Sequence, residues 1–247
     1  MNFRKIILVA IIGICASCVS CCVNFMINAG NSRCQIKGNG NVITSEKNVS
    51  AFDKVSVGVS AVVRFHSSQE YRTVVSVDEN LEEYVEIFTQ NNMLNIRTKS
   101  GGNYDFSNFQ VDVYCPILIG ISMSGSGSFE NMEKITTSTF KATLSGSGKI
   151  KITVDCESFS AGVTGSGKII VGGNTKDANI SISGSGQFRG DEFNISNATV
   201  RVSGSGCINV CVADNLKAKI SGSGRINYRG EPNIDSKISG SGRIRKM

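Results

Sequence analysis

Ser145-Gly146-Ser147-Gly148-Lys149-Ile150 and Ser183-Gly184-Ser185-Gly186-Gln187-Phe188 are two of seven near-copies of one motif, and the spacing of the copies decides the fold. The copies begin at Ser124, Ser145, Thr164, Ser183, Ser203, Ser221 and Ser239, with Thr replacing the first Ser in the third. The intervals are 21, 19, 19, 20, 18 and 18 residues. A period of that length in a Gly-rich, β-branched sequence is one coil of a stacked solenoid.

Aligned on the tetrapeptide, the copies alternate. The preceding residue is always apolar: Met123, Leu144, Val163, Ile182, Val202, Ile220, Ile238. Mostly apolar residues also stand two and four places earlier, and the places between are mostly polar. Beyond the tetrapeptide the second residue is Phe129, Ile150, Ile169, Phe188, Ile208, Ile226 or Ile244. Period two marks a strand with one buried face. If the alternation continues through the tetrapeptide, both glycines face inward and both hydroxyls outward. The glycines then allow either close approach to the opposite wall or a bend with φ > 0. A single repeat cannot bury its own apolar face, so coils must stack, each rising about 4.8 Å, and seven make a rod of roughly 30 Å. The fold expected is an all-β parallel β-helix, right-handed, in preference to an antiparallel meander, whose hairpins would alternate two turn types.

The N-terminus has the pattern of a lipoprotein export signal over residues 1–17. Arg4 and Lys5 precede the apolar run Ile6 to Ile14, which is too short to span a bilayer as a helix. Ala16-Ser17-Cys18 resembles a lipobox, with Cys18 the acylated residue and Cys21 the alternative. Both have Cys where Leu is usual three residues earlier. An ordinary cleaved signal is the plain alternative. Residues 18–35 read as a tether and 36–247 as one domain, divided into irregular capping coils (36–119) and regular repeats (120–247). Within the first part, Asn80 is expected to cap a helical turn, with Leu81, Tyr84 and Val85 on one face. Residues 1–120 hold 10 basic and 10 acidic residues, and residues 121–247 hold 16 and 10, so the +6 net charge belongs to the repeats. Arg243, Arg245 and Lys246 in the last strand would repel another strand edge.

Five pieces carry a resemblance to a known family. They are Gly38-Asn39-Gly40-Asn41-Val42, Phe52-Asp53-Lys54-Val55-Ser56-Val57, Val77-Asp78-Glu79-Asn80-Leu81, Asn92-Met93-Leu94-Asn95-Ile96 and the Ser-Gly-Ser-Gly series. From about residue 36 to the end, the chain resembles the bacterial head GIN domain family of autotransporter-type adhesins. The resemblance implies an exported, often lipid-anchored parallel β-helix, and it brings no catalytic residue with it.

Catalysis finds little support in the residues. His66 is the single histidine, so any Ser-His-Asp or Cys-His nucleophile would have to use it, and no nucleophile elbow surrounds any Ser. The acids of the repeats, among them Glu130, Asp155, Glu157, Asp177, Asp191, Glu192 and Asp214, occupy different repeat positions and form no carboxylate pair of the glycosidase kind. Cys115, Cys156, Cys207 and Cys211 likewise fall at different positions, which predicts unpaired thiols, and no zinc spacing exists. The tetrapeptide lacks the Lys-Ser/Thr of a phosphate loop. No cofactor, metal or nucleic acid is expected, the last because aromatic residues do not interleave with the basic ones.

Two surfaces remain. Ser126, Ser145, Ser147, Ser166, Ser183, Ser185, Ser203, Ser205, Ser221 and Ser223 form a candidate binding face, or simply a turn ladder. Lys149, Lys168, Arg225 and Arg243 mark a candidate basic surface for an acidic glycan or headgroup. The function expected is a non-catalytic binding or adhesion-like module of the cell envelope, held by its lipid on a membrane, the outer membrane being the expected one. Its partners would be a glycan or an envelope protein. A structural component of the envelope is the alternative, and a glycan-modifying enzyme a weaker one.

Overall fold

The computed structural model describes residues 35–247. The signal at 1–17, the acylation candidates Cys18 and Cys21, Cys34 and the tether before Gln35 lie outside the described residues. The repeats form a parallel β-solenoid of about seven turns. Its strands are β10 (Gly120–Gly125), β11 (Ser128–Asn131), β12 (Ile135–Gly146), β13 (Lys149–Gly165), β14 (Lys168–Gly184), β15 (Gln187–Gly204), β16 (Cys207–Gly222), β17 (Arg225–Arg229), β18 (Asn233–Ser239) and β19 (Arg243–Lys246). Each level has one wall before the Ser-Gly corner and one after it.

The register follows the alignment on the tetrapeptide. Met123, Leu144, Val163, Ile182, Val202, Ile220 and Ile238 are successive Cα partners in one column. All are buried except Ile238 on the last level, which is 44% exposed. Phe159 stacks on Phe140 of β12 with ring centroids 6.4 Å apart, and meets Phe188 and Phe193 of β15 at 6.3 and 4.9 Å. The interior is therefore filled by side chains from both walls.

The two glycines of each corner do different work. Gly204 has φ +110°, and a Cβ placed there would lie 2.6 Å from the carbonyl oxygen of Gly184 on the level below. Gly206 is buried, and a Cβ there would lie 2.5 Å from Cγ2 of Ile182. So the first glycine supplies the left-handed bend, and only the second takes the inward place that unbroken alternation would have given both. The bend is fastened from level to level: Ser205 donates its amide to Gly184 at 2.9 Å, and Cys207 donates to Gly186 at 3.0 Å.

The front part joins this core in an order the linear sequence conceals. Its strands are β1 (Gln35–Lys37), β2 (Val42–Asn48), β3 (Lys54–Val57), β4 (Val62–Ser67), β5 (Arg72–Asp78), β6 (Val85–Gln90), β7 (Met93–Thr98), β8 (Asn103–Asp105) and β9 (Phe109–Cys115). Strands β3 and β4 make one level, lying parallel to β10 and β11 on one side and to β7 and β9 on the other. The apolar column continues through Val57 to Ile96. Beyond that level the pairing turns antiparallel, with β6 on β7, β5 on β9 and β2 on β5. The chain thus lays one level, wraps the end with antiparallel strands, and returns to stack the repeats on the first level's free side.

Asp78 holds this cap together. Its side chain is fully buried and accepts hydrogen bonds from the amides of Gly40 (3.1 Å), Ser107 (2.8 Å) and Asn108 (3.3 Å) and from the Ser107 hydroxyl. Asn80 does not cap the helical turn. A 3-10 helix spans Glu79–Tyr84, and its N-cap residue, Asp78, makes no side-chain cap bond. The Asn80 amide instead donates to the Lys37 carbonyl at 2.8 Å and accepts from the Asn39 amide at 2.9 Å. The Gly38-Asn39-Gly40-Asn41 and Asp78-Glu79-Asn80 pieces are therefore two halves of one clasp. Burial raises the Asp78 pKa, but the hydrogen bonds from Ser107, Asn108 and Gly40 outweigh it and hold the carboxyl below its ordinary value of 3.8. An acid lowered in the fold stabilises fully above its unfolded pKa and loses that stability as pH falls through its folded pKa. Asp78→Asn should cost about 2 kcal/mol at neutral pH. In urea titrations the gap from wild type should narrow as the solution is acidified below the ordinary carboxylate range. A gap independent of pH would contradict this assignment.

Candidate functional site

The corner is the most regular surface of the molecule. Ser124, Ser145, Thr164, Ser183, Ser203, Ser221 and Ser239 are in register from level to level. Ser126, Ser147, Ser166, Ser185, Ser205 and Ser223 occupy the turn just after them. All ten serines of the candidate face are exposed, so the structure brings them together as two parallel rows of hydroxyls. The glycines explain why the rows are straight: each corner repeats one backbone bend and one set of amide bonds to the level below.

The four residues of the candidate basic surface share one slot without forming a continuous stripe. Lys149 lies beside Lys168, and Arg225 beside Arg243, but Gln187 and Cys207 separate the pairs. On the other side of the corner, Arg201, Lys219 and Lys237 are unbroken neighbours.

Away from the tetrapeptide, at three separate places in the coil, the structure adds side-chain ladders that the alignment on the tetrapeptide misses. The Asn174 amide donates to Asp155 at 2.9 Å, and Asn194 donates to Asn174 at 3.0 Å. Asn197 donates to Asp177 at 3.0 Å, and Asn215 to Asn197 at 2.8 Å. Asn209 donates to Asp191 at 3.2 Å, and Asn227 to Asn209 at 2.9 Å. Each ladder begins on a carboxylate and continues through amides, so these acids are ladder ends rather than paired catalytic groups. The hydrogen bond from Lys134, aided by those from Asn174, holds Asp155 below the ordinary carboxylate value.

His66 also has a structural setting. Its Nε2 lies 3.0 Å from Asp112 Oδ1, and its ring stacks on Tyr114 at 4.7 Å, with Arg72 over the same Tyr114 ring at 4.0 Å. Among the described residues no cluster of His, Cys, Asp and Glu could hold a metal ion.

Cys115, Cys156, Cys207 and Cys211 are free. Burial pushes the Cys115 thiol up to about 12, and it also raises that of Cys156. Since the thiolate is the reactive form, Cys115 should resist iodoacetamide in the folded protein and react only on unfolding, whereas half-exposed Cys207 and Cys211 should label first. Peptide mapping after timed labelling checks this, and early modification of Cys115 would contradict it.

No curated protein matches the chain. Its architecture is similar to the crystal structure of a protein described as a putative lipid binding protein from Parabacteroides distasonis. The two share 26% identity and a TM-score of 0.74 over 86% of this chain and 99% of that one. It is also similar to a putative adhesin from Bacteroides fragilis (21% identity, TM-score 0.82, 86% and 100% of the chains). A putative adhesin from Parabacteroides merdae is comparable (24%, 0.71, 86% and 99%). At the identities of these two adhesins the likeness shows the fold alone. The family described as putative auto-transporter adhesin, head GIN domain, matches residues 51–232. The chain belongs to that head GIN domain family.

Proposed function

We propose that the chain is a non-catalytic, adhesion-like binding module of the cell envelope, exported and held on a membrane by acylation of Cys18, or alternatively of Cys21. The observation that supports this reading is the rigid double row of exposed hydroxyls at the corner. Such a row offers many weak hydrogen bonds at fixed spacing, which suits an extended or repetitive surface better than a small molecule. Family membership supports the same reading. The name of the Parabacteroides distasonis relative raises a lipid ligand. With side chains filling the space between the walls, an acyl chain has no interior to enter, so that ligand would be limited to a headgroup on the outer surface.

The test replaces Ser147, Ser166 and Ser185 together with Tyr. Outward positions tolerate the change, so folding should persist while binding to glycans or cells falls. Unchanged binding would overturn the corner as the recognition face. Replacing Cys18 with Ser should abolish palmitate incorporation in cells, and incorporation that persists until Cys21 is also replaced would select the alternative residue.

A further inference from the structure

We propose that the groove beside the corner binds a linear acidic polysaccharide through the column Arg201, Lys219 and Lys237, an inference that rests on the binding-module reading above. These three cations are Cα partners on successive strands, all exposed. Successive levels stand about 4.8 Å apart, and like charges directly opposite one another destabilise a sheet. Among the described residues none of the three makes an ion pair. The nearest counter-charge in the register is Asp235, and it is taken by Lys217 at 3.8 Å. Arg201 has only the neutral Asn179 oxygen, at 3.1 Å.

The fold does not require cations in this slot. Earlier levels fill it with Thr143, Gly162 and Ser181. A repulsive column that folding does not need, confined to the last levels, has a physical use if a polyanion lies across it.

The adjoining surface matches such a ligand. A groove of about 370 Å³ runs across the levels, lined by Thr164, Ser183, Ser203, Ser221, Arg201 and Lys219, and Lys237 continues the cation column one strand beyond it. It sets a row of hydroxyls beside the cations and follows the solenoid axis. A polymer bearing one carboxylate per sugar can meet successive cations with its charges and successive serines with its hydroxyls. Arg225 and Arg243 stand on the far side of the corner and extend the positive field. A nucleic acid would need stacking aromatics, which the groove lacks. A membrane surface would need large exposed apolar side chains beside the cations, whereas the apolar residues of the groove, Val163, Ile182 and Val202, are buried and its exposed residues carry hydroxyls or charge.

The probe is polygalacturonate, with neutral dextran and phosphatidylglycerol vesicles as comparisons, measured on the full chain by titration calorimetry. The chain should bind polygalacturonate and not dextran, with affinity falling as salt is raised. Changing Arg201, Lys219 and Lys237 together to Gln should weaken binding about tenfold, three exposed ionic contacts being lost. The melting temperature of that variant should stay level or rise, because repulsion is removed. A Lys37→Gln/Lys99→Gln variant, which removes two exposed cations of the cap, should bind as wild type. No polygalacturonate binding, unchanged affinity in the triple variant, equal binding to dextran, or binding to vesicles alone would each overturn the proposal. Cell binding that survives the triple variant but fails with the corner Tyr substitutions would overturn it while leaving the binding-module reading intact.

Discussion

Gly204→Ala is expected to lower the unfolding free energy by about 4 kcal/mol, combining backbone strain and overpacking of about 1–3 kcal/mol each. At φ +110° a side chain is strained whatever space surrounds it, and here the new Cβ would also stand 2.6 Å from the Gly184 carbonyl oxygen. That oxygen accepts the Ser205 amide, so relief by sliding the levels apart would lengthen a bond of the ladder. Gly222 meets the Gly204 oxygen in the same way on the next level, at 2.6 Å, so a displaced Gly204 disturbs two interfaces. Ser205→Ala, at the exposed position beside it, should change stability by less than about 0.5 kcal/mol. Urea denaturation of the two variants makes the comparison, and a Gly204→Ala loss below about 1 kcal/mol would contradict the corner geometry.

Ile182→Ala should cost about 2–5 kcal/mol, the range for truncating an enclosed aliphatic side chain. Ile238→Ala, in the same column but 44% exposed, should cost under about 1 kcal/mol. Position along the axis, not residue type, sets the difference. A coupling is also expected. The space that Gly206 leaves open is filled by Cγ2 of Ile182, 2.5 Å from where a Gly206 Cβ would stand. Gly206→Ala alone should therefore destabilise by overpacking, and less so in the Ile182→Ala background. A double-mutant cycle should give a coupling of at least about 1 kcal/mol, and additive effects would contradict the contact.

The corner was legible in the sequence because one bend recurs in every coil and leaves two glycines and two serines as its trace. The inward column was equally legible, since Val202, Ile220 and Ile238 share a parity that a hydrophobic interior imposes. The Asn ladders were not. Asn197 and Asn215 stand six residues before Ser203 and Ser221, and Asn209 and Asn227 six after them, but the same places in other coils hold unrelated residue types such as Thr139, Lys151 and Ile170. Only the hydrogen bonds between levels mark them as ladders. Asn80 misled for a related reason: a side chain that suits a helix cap suits a loop clasp equally well, and only the nearness of Lys37 and Asn39 decides between them. The strand order at the cap was also out of reach, because no local pattern states that β3 and β4 lie between β7 and β9 on one side and β10 and β11 on the other. As for the site, the hydroxyl rows could be read directly from the repeat. The column Arg201, Lys219 and Lys237 emerges only when levels are compared for what each slot lacks as well as what it holds.

Pulsed electron spin resonance between nitroxide labels at positions 126 and 223, in a background without the native cysteines, tests the stacking most directly. Five repeats separate those sites, and if each repeat adds one strand spacing the labels should lie about 24 Å apart. Hairpins would add two strand spacings per repeat and place them about 48 Å apart, a result that would contradict the solenoid and everything built on its register.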